Sequence, residues 1–592
     1  MKEEKKDWEK QYDEYKNKLE NLYLENEEKN LMYLLEFHNR EAKPQWWNIF
    51  DRQNKYESEI IEDVECLGGL KLIGGEPQQE KRSLVYIYEY PEQETKLKKG
   101  SSIFNTETVE QVGSIIDIDE VKRHVKIKRG MAKEKLPQML SVGPGGPIDS
   151  KLLRSAVYRF ADKMIQSKDV NNCISDLLKR SIPKIKGKNP GDAITISDNL
   201  QNEVIQVIIN MDRSYLFIQG PPGTGKTYIS SHIIVELMKQ GKRVGVTSNS
   251  HRAIHNLLSR IESVAKEKDF SFSGIKKAST SNKETYFEGS YIKNETKTNN
   301  ISLEANLLAG TAWLFAHEYF VDQLDYLFID EAGQVALANV VAMSTSTKNL
   351  ILIGDQMQLG QPVQGTHPGD SGLSVLEYLL GNKSTIPIER GIFLSETRRL
   401  RPSICKFISE TFYDGRLIAH KDTINRILNL KNCGLPNEGI KFIDVEHEGC
   451  SQKSIEEGNV INEIYNQLLD QEIDDSGMIR QITEKDILVV TPYNVQVNYL
   501  RSILSKNARI GTVDNFQGQE APIVIISMVT SSAEYLPRNI EFLFSKNRLN
   551  VAISRAQCLA IIIANPKLLE VPCKTIEQMK MVNSFCKAYS ES

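Results

Sequence analysis

Residues 215–227, Tyr-Leu-Phe-Ile-Gln-Gly-Pro-Pro-Gly-Thr-Gly-Lys-Thr, carry the most specific chemistry in the sequence. Gly220, Pro221, Pro222, Gly223, Thr224, Gly225, Lys226 and Thr227 fit the pattern Gly-x-x-x-x-Gly-Lys-Thr. A short apolar run, Tyr215 to Ile218, precedes it, and a segment of helical period follows, with Ile229, Ile233, Ile234, Leu237 and Met238 on one side and Gly241 closing it. Strand, tight turn and helix is the context that makes this pattern a phosphate-binding loop. Backbone N–H groups at the start of the helix point at the anion, and the helix dipole favours its charge. Lys226 adds a point charge at the β- and γ-phosphates, and the Thr227 hydroxyl suits Mg²⁺. These residues imply binding of a nucleoside triphosphate.

Other residues suit the same chemistry. Asp330-Glu331-Ala-Gly-Gln follows the apolar run Tyr326–Ile329, so one carboxylate at the strand end can hold Mg²⁺ and the next can activate the attacking water. Gln358, in Gly354-Asp-Gln-Met-Gln-Leu, also follows an apolar run, and its amide is placed to sense the γ-phosphate. Arg399 and Arg555 offer positive charge for the transferring phosphoryl group, although each alone reads more readily as a surface ion pair and only the ensemble promotes it. If both come from a second domain, the nucleotide lies in a cleft and hydrolysis must change the cleft.

The elements that position these residues suggest an α/β protein with two tandem parallel-sheet domains. Short continuous apolar strands separated by helices indicate sheets covered on both faces. The expected order is a helical segment at 1–58, a small β-rich, barrel-like domain at 59–138, a helical stalk or linker at 139–190, a first α/β domain at 191–390 and a second at 391–592. Gly143, Pro144, Gly145, Gly146 and Pro147 mark the linker, and helices are expected at 151–167 and 170–181. A Lys-, Ser-, Thr- and Asn-rich stretch, about 260–305, reads as an exposed, partly mobile insertion. Trp8, Tyr12, Tyr15, Leu19 and Leu22 recur at helical spacing, which fits a helix packed on the protein's own body or a docking helix for a partner. Trp46, Trp47 and Phe50 read as a packing anchor, and the last barrel strand is basic.

Bulk properties bound the function. The 592 residues imply several domains, and 26% charged with 40% hydrophobic residues describes a globular chain. A net charge of −4 excludes an overall basic coat, although a local basic channel is compatible with it. No run approaches a membrane span, and eight scattered cysteines without a C-x-x-C pair fit a reducing cytoplasm.

The motifs in order, Gly-Pro-Pro-Gly-Thr-Gly-Lys-Thr, Asp-Glu-Ala-Gly-Gln, Gly-Asp-x-x-Gln-Leu, Thr512-Val-Asp-Asn-Phe-Gln-Gly-Gln-Glu520 and Asn550-Val-Ala-Ile-Ser-Arg-Ala556, resemble those of superfamily 1B helicases over about 195–565. This is the group of the nonsense-mediated-decay RNA helicase and the Okazaki-fragment nuclease–helicase. The resemblance implies two RecA-like domains that use ATP and Mg²⁺. Gln201 would read the adenine, Thr227 and Asp330 would hold the metal, and Glu331 would be the base. Gln358 would sense the γ-phosphate, Arg399 and Arg555 would be fingers, and Glu520 would meet the ribose or couple the sites. Relatives carry an adenine-stacking aromatic where this chain has Arg398, whose guanidinium can also stack. Single-stranded nucleic acid would touch Ser248, Asn249, His251, Thr311, Thr491, Tyr493, Thr512 and Asp514, mostly through phosphates. Lys43-Pro-Gln-Trp-Trp and Ser83-Leu-Val-Tyr resemble bacterial proteins in which a RecB-like nuclease precedes the helicase, so the nuclease is expected to be absent here or a separate subunit. The implied activity is 5′-to-3′ movement on single-stranded DNA, in repair or anti-phage defence. An RNA or ribonucleoprotein remodeller and an ATP-switched clamp without unwinding are the alternatives.

Overall fold

The computed structural model describes residues 2–22, 26–120, 122–167, 172–197, 199–280, 282–516 and 518–592. It forms two compact units, residues 37–150 with 363–367, and the remainder. No helix among the described residues is long and apolar enough to cross a membrane.

The expected segment 1–58 divides between the two units. Helices α1 (Lys2–Glu20) and α2 (Asn26–Leu34) belong to the larger one. The aromatic repeat of α1 is used within the chain: Leu19 is buried, the Tyr15 hydroxyl donates to Asp162 at 2.7 Å, and its ring meets Tyr158 edge-on at 4.8 Å. That is packing on the protein's own body.

The smaller unit begins with α3 (Phe37–Arg52) and α4 (Glu57–Glu62). Six antiparallel strands follow: β1 (Leu67–Glu80), β2 (Ser83–Glu89), β3 (Ser102–Asn105), β4 (Gln111–Asp119), β5 (His124–Gly130) and β6 (Met139–Pro144). They close into a barrel in the order β1-β2-β5-β4-β3-β6, filled by Leu70, Tyr86, Tyr88, Ile115, Ile127 and Val142. Residues 139–144, expected as linker, are thus the sixth strand, pairing with both β1 and β3. Without them the barrel would keep two open edges. Gly113 permits the closest approach, since a Cβ there would lie 2.3 Å from the Lys128 carbonyl oxygen. The basic strand β5 is partly neutralised, with Lys126 on Asp117 at 3.0 Å and Lys128 on Glu80 at 2.5 Å. Trp46 stacks on Phe50, but Trp47 is 70% exposed and anchors no core.

In the larger unit α5 (Lys151–Gln166), α6 (Cys173–Leu178) and α7 (Leu200–Ile209) lead into the first α/β domain. Residues 170 and 171 of the expected second helix lie outside the described residues. The domain's strands are β7 (Tyr215–Gln219), β8 (Val244–Thr247), β9 (Gly274–Lys277), β10 (Ile292–Glu295), β11 (Leu307–Ala309), β12 (Leu324–Ile329), β13 (Thr347–Gly354) and β14 (Gly391–Phe393). All pair in parallel, in the order β10-β9-β11-β8-β12-β13-β7-β14. The first domain therefore runs past the expected boundary at 390, because β14 pairs with β7.

The stretch 260–305 is built into this sheet rather than left outside it. After α9 (His251–Glu267), β9 and β10 extend the sheet by two strands, and Phe272, Phe287 and Ile292 join its core. Polar side chains hold the turn between the strands. Buried Glu262 accepts N–H bonds from Ser290 at 2.9 Å, Tyr291 at 2.8 Å and Ile292 at 3.2 Å. Lys276, fully buried, donates to the carbonyls of Lys277 at 2.7 Å and Thr285 at 3.4 Å, and lies 3.1 Å from His251 Nδ1. Burial, reinforced by Lys277, lowers the Lys276 ammonium to about 8.

In the second α/β domain β15 (Glu396–Thr397) pairs with β16 (Ile418–Ala419). Strands β17 (Arg426–Asn429), β19 (Glu472–Asp475) and β20 (Met478–Gln481) form a small antiparallel sheet. The main sheet is parallel, ordered β18 (Gly439–Asp444), β24 (Ala556–Ala564), β23 (Ala521–Ser527), β21 (Ile487–Thr491) and β22 (Arg509–Thr512).

Glu262→Ala removes the buried acceptor of three N–H groups, that of buried Ile292 among them, and should cost about 1–3 kcal/mol in chemical denaturation. A loss below about 0.5 kcal/mol would show that the turn finds other acceptors. The depressed Lys276 also predicts a pH effect: between about 8 and its ordinary value the unfolded chain binds the extra proton, so stability rises with pH through that window. Subtracting the pH profile of Lys276→Met from that of the parent should isolate this rise; superimposable profiles would refute it.

Candidate active site

Three loops leave the carboxyl ends of the adjacent strands β12, β13 and β7. Parallel pairing brings their ends level, with Ile329 opposite Leu352 and Gly354 opposite Gln219. Gly220 N–H then donates to the Gly354 carbonyl at 2.9 Å, so the phosphate loop and the loop after β13 start side by side.

The phosphate loop caps α8 (Lys226–Lys239). Gly225, at the N-cap, has φ +81°, a backbone that glycine adopts without strain. Lys226 folds back so that Nζ donates to the Gly220 carbonyl at 2.7 Å, and Thr227 lies half-buried in the first helical turn. Asp330 is buried after β12, its Oδ1 accepting the Glu331 N–H at 3.0 Å. Burial and then the neighbouring Glu331 raise the Asp330 carboxyl, against the pull of Lys226. Glu331 has φ +53°, a left-handed backbone that costs a non-glycine residue about 1–2 kcal/mol and aims its side chain. Among the described residues no cluster of three or more His, Cys, Asp or Glu side chains forms a metal cage. The pair Thr227 and Asp330 fits Mg²⁺ instead, which takes few protein ligands and keeps water and phosphate oxygens around it.

The loop after β13 is tied to the second domain. Gln358 is buried and its Nε2 donates to Asp355 Oδ2 at 3.0 Å. The same oxygen accepts the Tyr413 hydroxyl at 2.6 Å, and Tyr413 accepts from Asn550 Nδ2 at 2.8 Å. Asn547 Nδ2 donates to the Gln356 carbonyl at 2.9 Å and also to that of Gln358. Sequence reasoning missed Tyr413 and Asn547, which no local pattern marks, and left Asn550 and Asp355 without roles although both stand inside recognised motifs.

The second domain presents the amino ends of β23 and β24. Arg555, directly before β24, is 3% exposed, donates through Nη1 to the Gln519 carbonyl at 3.3 Å, and keeps its Nε without a partner among the described residues. Burial and then Arg399 disfavour its charge, while Glu331 and Glu520 favour it. Arg399 donates through Nε to Glu520 and through Nη1 to the Ser554 carbonyl at 3.3 Å. Glu520, expected to meet the ribose or couple the sites, holds Arg399 and accepts from Gln557 at 2.8 Å. Gln517 of that motif lies outside the described residues.

The two domains also meet at the phosphate loop itself. The Thr397 hydroxyl donates to the Pro222 carbonyl at 2.8 Å and the Arg398 N–H to the Gly223 carbonyl at 3.0 Å. A Cβ on Gly223, whose φ is +75°, would lie 2.4 Å from Arg399 Cβ. Arg398 thus contributes its backbone to the junction while its side chain is exposed, and Gln201 is half-buried in the first turn of α7.

The expected nucleic-acid residues separate into groups. Asn249 and Asp514 are exposed, and His251, Thr311 and Thr512 are half-buried. Ser248, Thr491 and Tyr493 are buried, Tyr493 packing on Phe542 at 5.8 Å, so these side chains do not reach the surface as expected. Asn249 donates to the Gln334 carbonyl just beyond the acidic pair, and Asp514 pairs with Arg548 at 2.9 Å.

Two family models, each described as an AAA domain, match residues 197–369 and 372–567. The chain is 27% identical over 399 residues to the DNA polymerase alpha-associated DNA helicase A of Schizosaccharomyces pombe, covering 57% of this chain and 59% of that protein. It is 27% identical over 380 residues to the DNA replication ATP-dependent helicase/nuclease dna2 of the same organism, covering 59% and 26%. With a regulator of nonsense transcripts 1 homolog of Arabidopsis thaliana the identity is 27% over 414 residues, covering 60% and 31%. The chain thus spans between about a quarter and three-fifths of the length of these relatives. The two α/β domains are thus the parts of the chain that resemble AAA domains, and two of these three relatives are described as helicases.

Proposed function

We propose that this chain is an ATP-driven nucleic-acid helicase that moves 5′ to 3′ along single-stranded DNA. The observation that carries the reading is Arg555, a buried guanidinium whose Nε has no partner among the described residues, brought from the second domain within electrostatic reach of Glu331. A buried cation left this short of partners favours an incoming anion. Bound Mg²⁺, held by Thr227 and Asp330, would neutralise charge on the phosphates. Lys226 would exchange its bond to the Gly220 carbonyl for the β- and γ-phosphates, and Glu331 would orient and deprotonate the attacking water. Arg399 would have to leave Glu520 to join Arg555 on the γ-phosphate, so hydrolysis and domain closure are linked. Asn249, bonded to the loop of the acidic pair, gives nucleic acid a short path to the catalytic carboxylates.

The reading extends to a separate nuclease acting on the strands this motor exposes, in repair or defence. Its support is the likeness to a helicase/nuclease over 59% of this chain. The eight unpaired cysteines fit a reducing cytoplasm. Against the clamp alternative stands Tyr15 of the α1 repeat, which packs on α5.

Glu331→Gln should keep nucleotide binding and lower turnover by about 10²–10⁴-fold, the range of a lost general base. Near-normal turnover would show that another group activates the water. ATP turnover should rise strongly with single-stranded DNA over the nucleic-acid-free rate, measured at matched low salt. Stimulation by RNA alone would instead favour the transcript-remodelling reading, and equal slow turnover in every case would refute a nucleic-acid motor working alone.

A further inference from the structure

A buried polar cluster in the larger unit joins the loop after β13 to the second domain. Asp355, Tyr413 and Asn550 are 3%, 0% and 0% exposed, so nothing there is solvated by bulk water. Each donor and acceptor has a direction. The Asn550 amide gives its N–H bonds to the Tyr413 oxygen at 2.8 Å and the Met357 carbonyl at 2.7 Å. The Tyr413 hydroxyl donates its proton to Asp355 Oδ2 at 2.6 Å, and the same oxygen receives Gln358 Nε2 at 3.0 Å. Tyr413 comes immediately after the helix Pro402–Phe412 of the second domain. Asn550 lies in the helix Lys546–Ile553, which ends two residues before Arg555.

We propose that Tyr413 is a positioning residue for ATP hydrolysis: its hydroxyl fixes the orientation of Gln358 through Asp355, and through Asn550 it ties that orientation to the helix carrying Arg555. This rests on the ATPase reading above and goes beyond it by naming the group through which the two halves of the site sense each other. The physical ground is satisfaction of a buried acceptor. A carboxylate out of water needs strong donors, and Asp355 has the Tyr413 hydroxyl and the Gln358 amide on one oxygen. Any movement of Gln358 toward a phosphate loosens one donor and loads the other, and buried networks respond as a unit. Burial accordingly holds the Asp355 carboxyl and the Tyr413 phenol above their ordinary ranges.

Tyr413→Phe keeps the ring and deletes the hydroxyl. In the full chain, with single-stranded DNA and saturating Mg²⁺, kcat should fall about 10- to 100-fold, the worth of one hydrogen bond to a charged group, while KM for ATP stays within about 2-fold. Asn550→Ala should show the same split, and the double variant should lose no more than the worse single one, because both cut one chain. The proposal is overturned if Tyr413→Phe turns over like the parent, if KM moves with kcat, or if the two losses multiply. Should Tyr413→Phe melt below the assay temperature, Asn550→Ala decides the kcat and KM split alone. Parent turnover is read in parallel: its absence removes the ATPase reading and this inference together, whereas an active parent with an equally active Tyr413→Phe removes the inference only.

Discussion

Parallel pairing of β12, β13 and β7 is the constraint from which the site follows. In a parallel sheet every strand ends at the same edge, and the register here holds Ile329, Leu352 and Gln219 within one or two residues of a common line. Asp330, the loop of Gln358 and the glycine-rich loop consequently emerge as neighbours although more than a hundred residues separate Asp330 from Gly220. The second sheet answers with its amino ends, where Glu520 and Arg555 directly precede β23 and β24. Carboxyl ends facing amino ends is an economical way to set acids and phosphate-binding amides against guanidinium groups.

That arrangement leaves charges in awkward places. Asp330 and Asp355 are raised by burial, and Arg555 is lowered by burial and by Arg399. None of the three has a full complement of opposite charge from its immediate neighbours. A magnesium-bound triphosphate supplies a dication beside Asp330 and an anion beside Arg555, so the pocket is electrostatically incomplete in a way its proposed ligand completes. The Arg399–Glu520 pair is different: it is satisfied within the protein, so the proposed role of Arg399 at the γ-phosphate would require it to break.

What the sequence disclosed follows from how local each signal is. The phosphate loop needs only a strand, glycines and a helix in succession, so residues 215–239 were legible in full. Tyr413 and Asn547 matter only because the second domain folds back on the first, and no periodicity carries that information. The stretch 260–305 looked unstructured because its strands are four residues long and polar. Its order comes from Glu262, Lys276 and their carbonyl and amide partners, which are distant in sequence from one another or hidden among ordinary charges. Residues 139–144 contain two inward apolar side chains, Leu140 and Val142, and the glycine and proline at their end masked a strand that only barrel closure requires. Thr491 and Tyr493 were placed at a surface by motif likeness, whereas their own strand and the Phe542 ring bury them.

The junction at the phosphate loop has a different bearing, on how such a protein can diverge. One of its two hydrogen bonds runs between the main chains of Arg398 and Gly223, and the side chain at 398 stays outside. A seam written partly in backbone does not record which side chain stands at that position. A different side chain at 398 would leave that hydrogen bond in place. Gly223 has no such latitude, because the first carbon of any side chain would collide with Arg399. Neighbouring positions on the same seam are thus constrained in opposite ways, one open to many side chains and the other restricted by space and by its left-handed backbone.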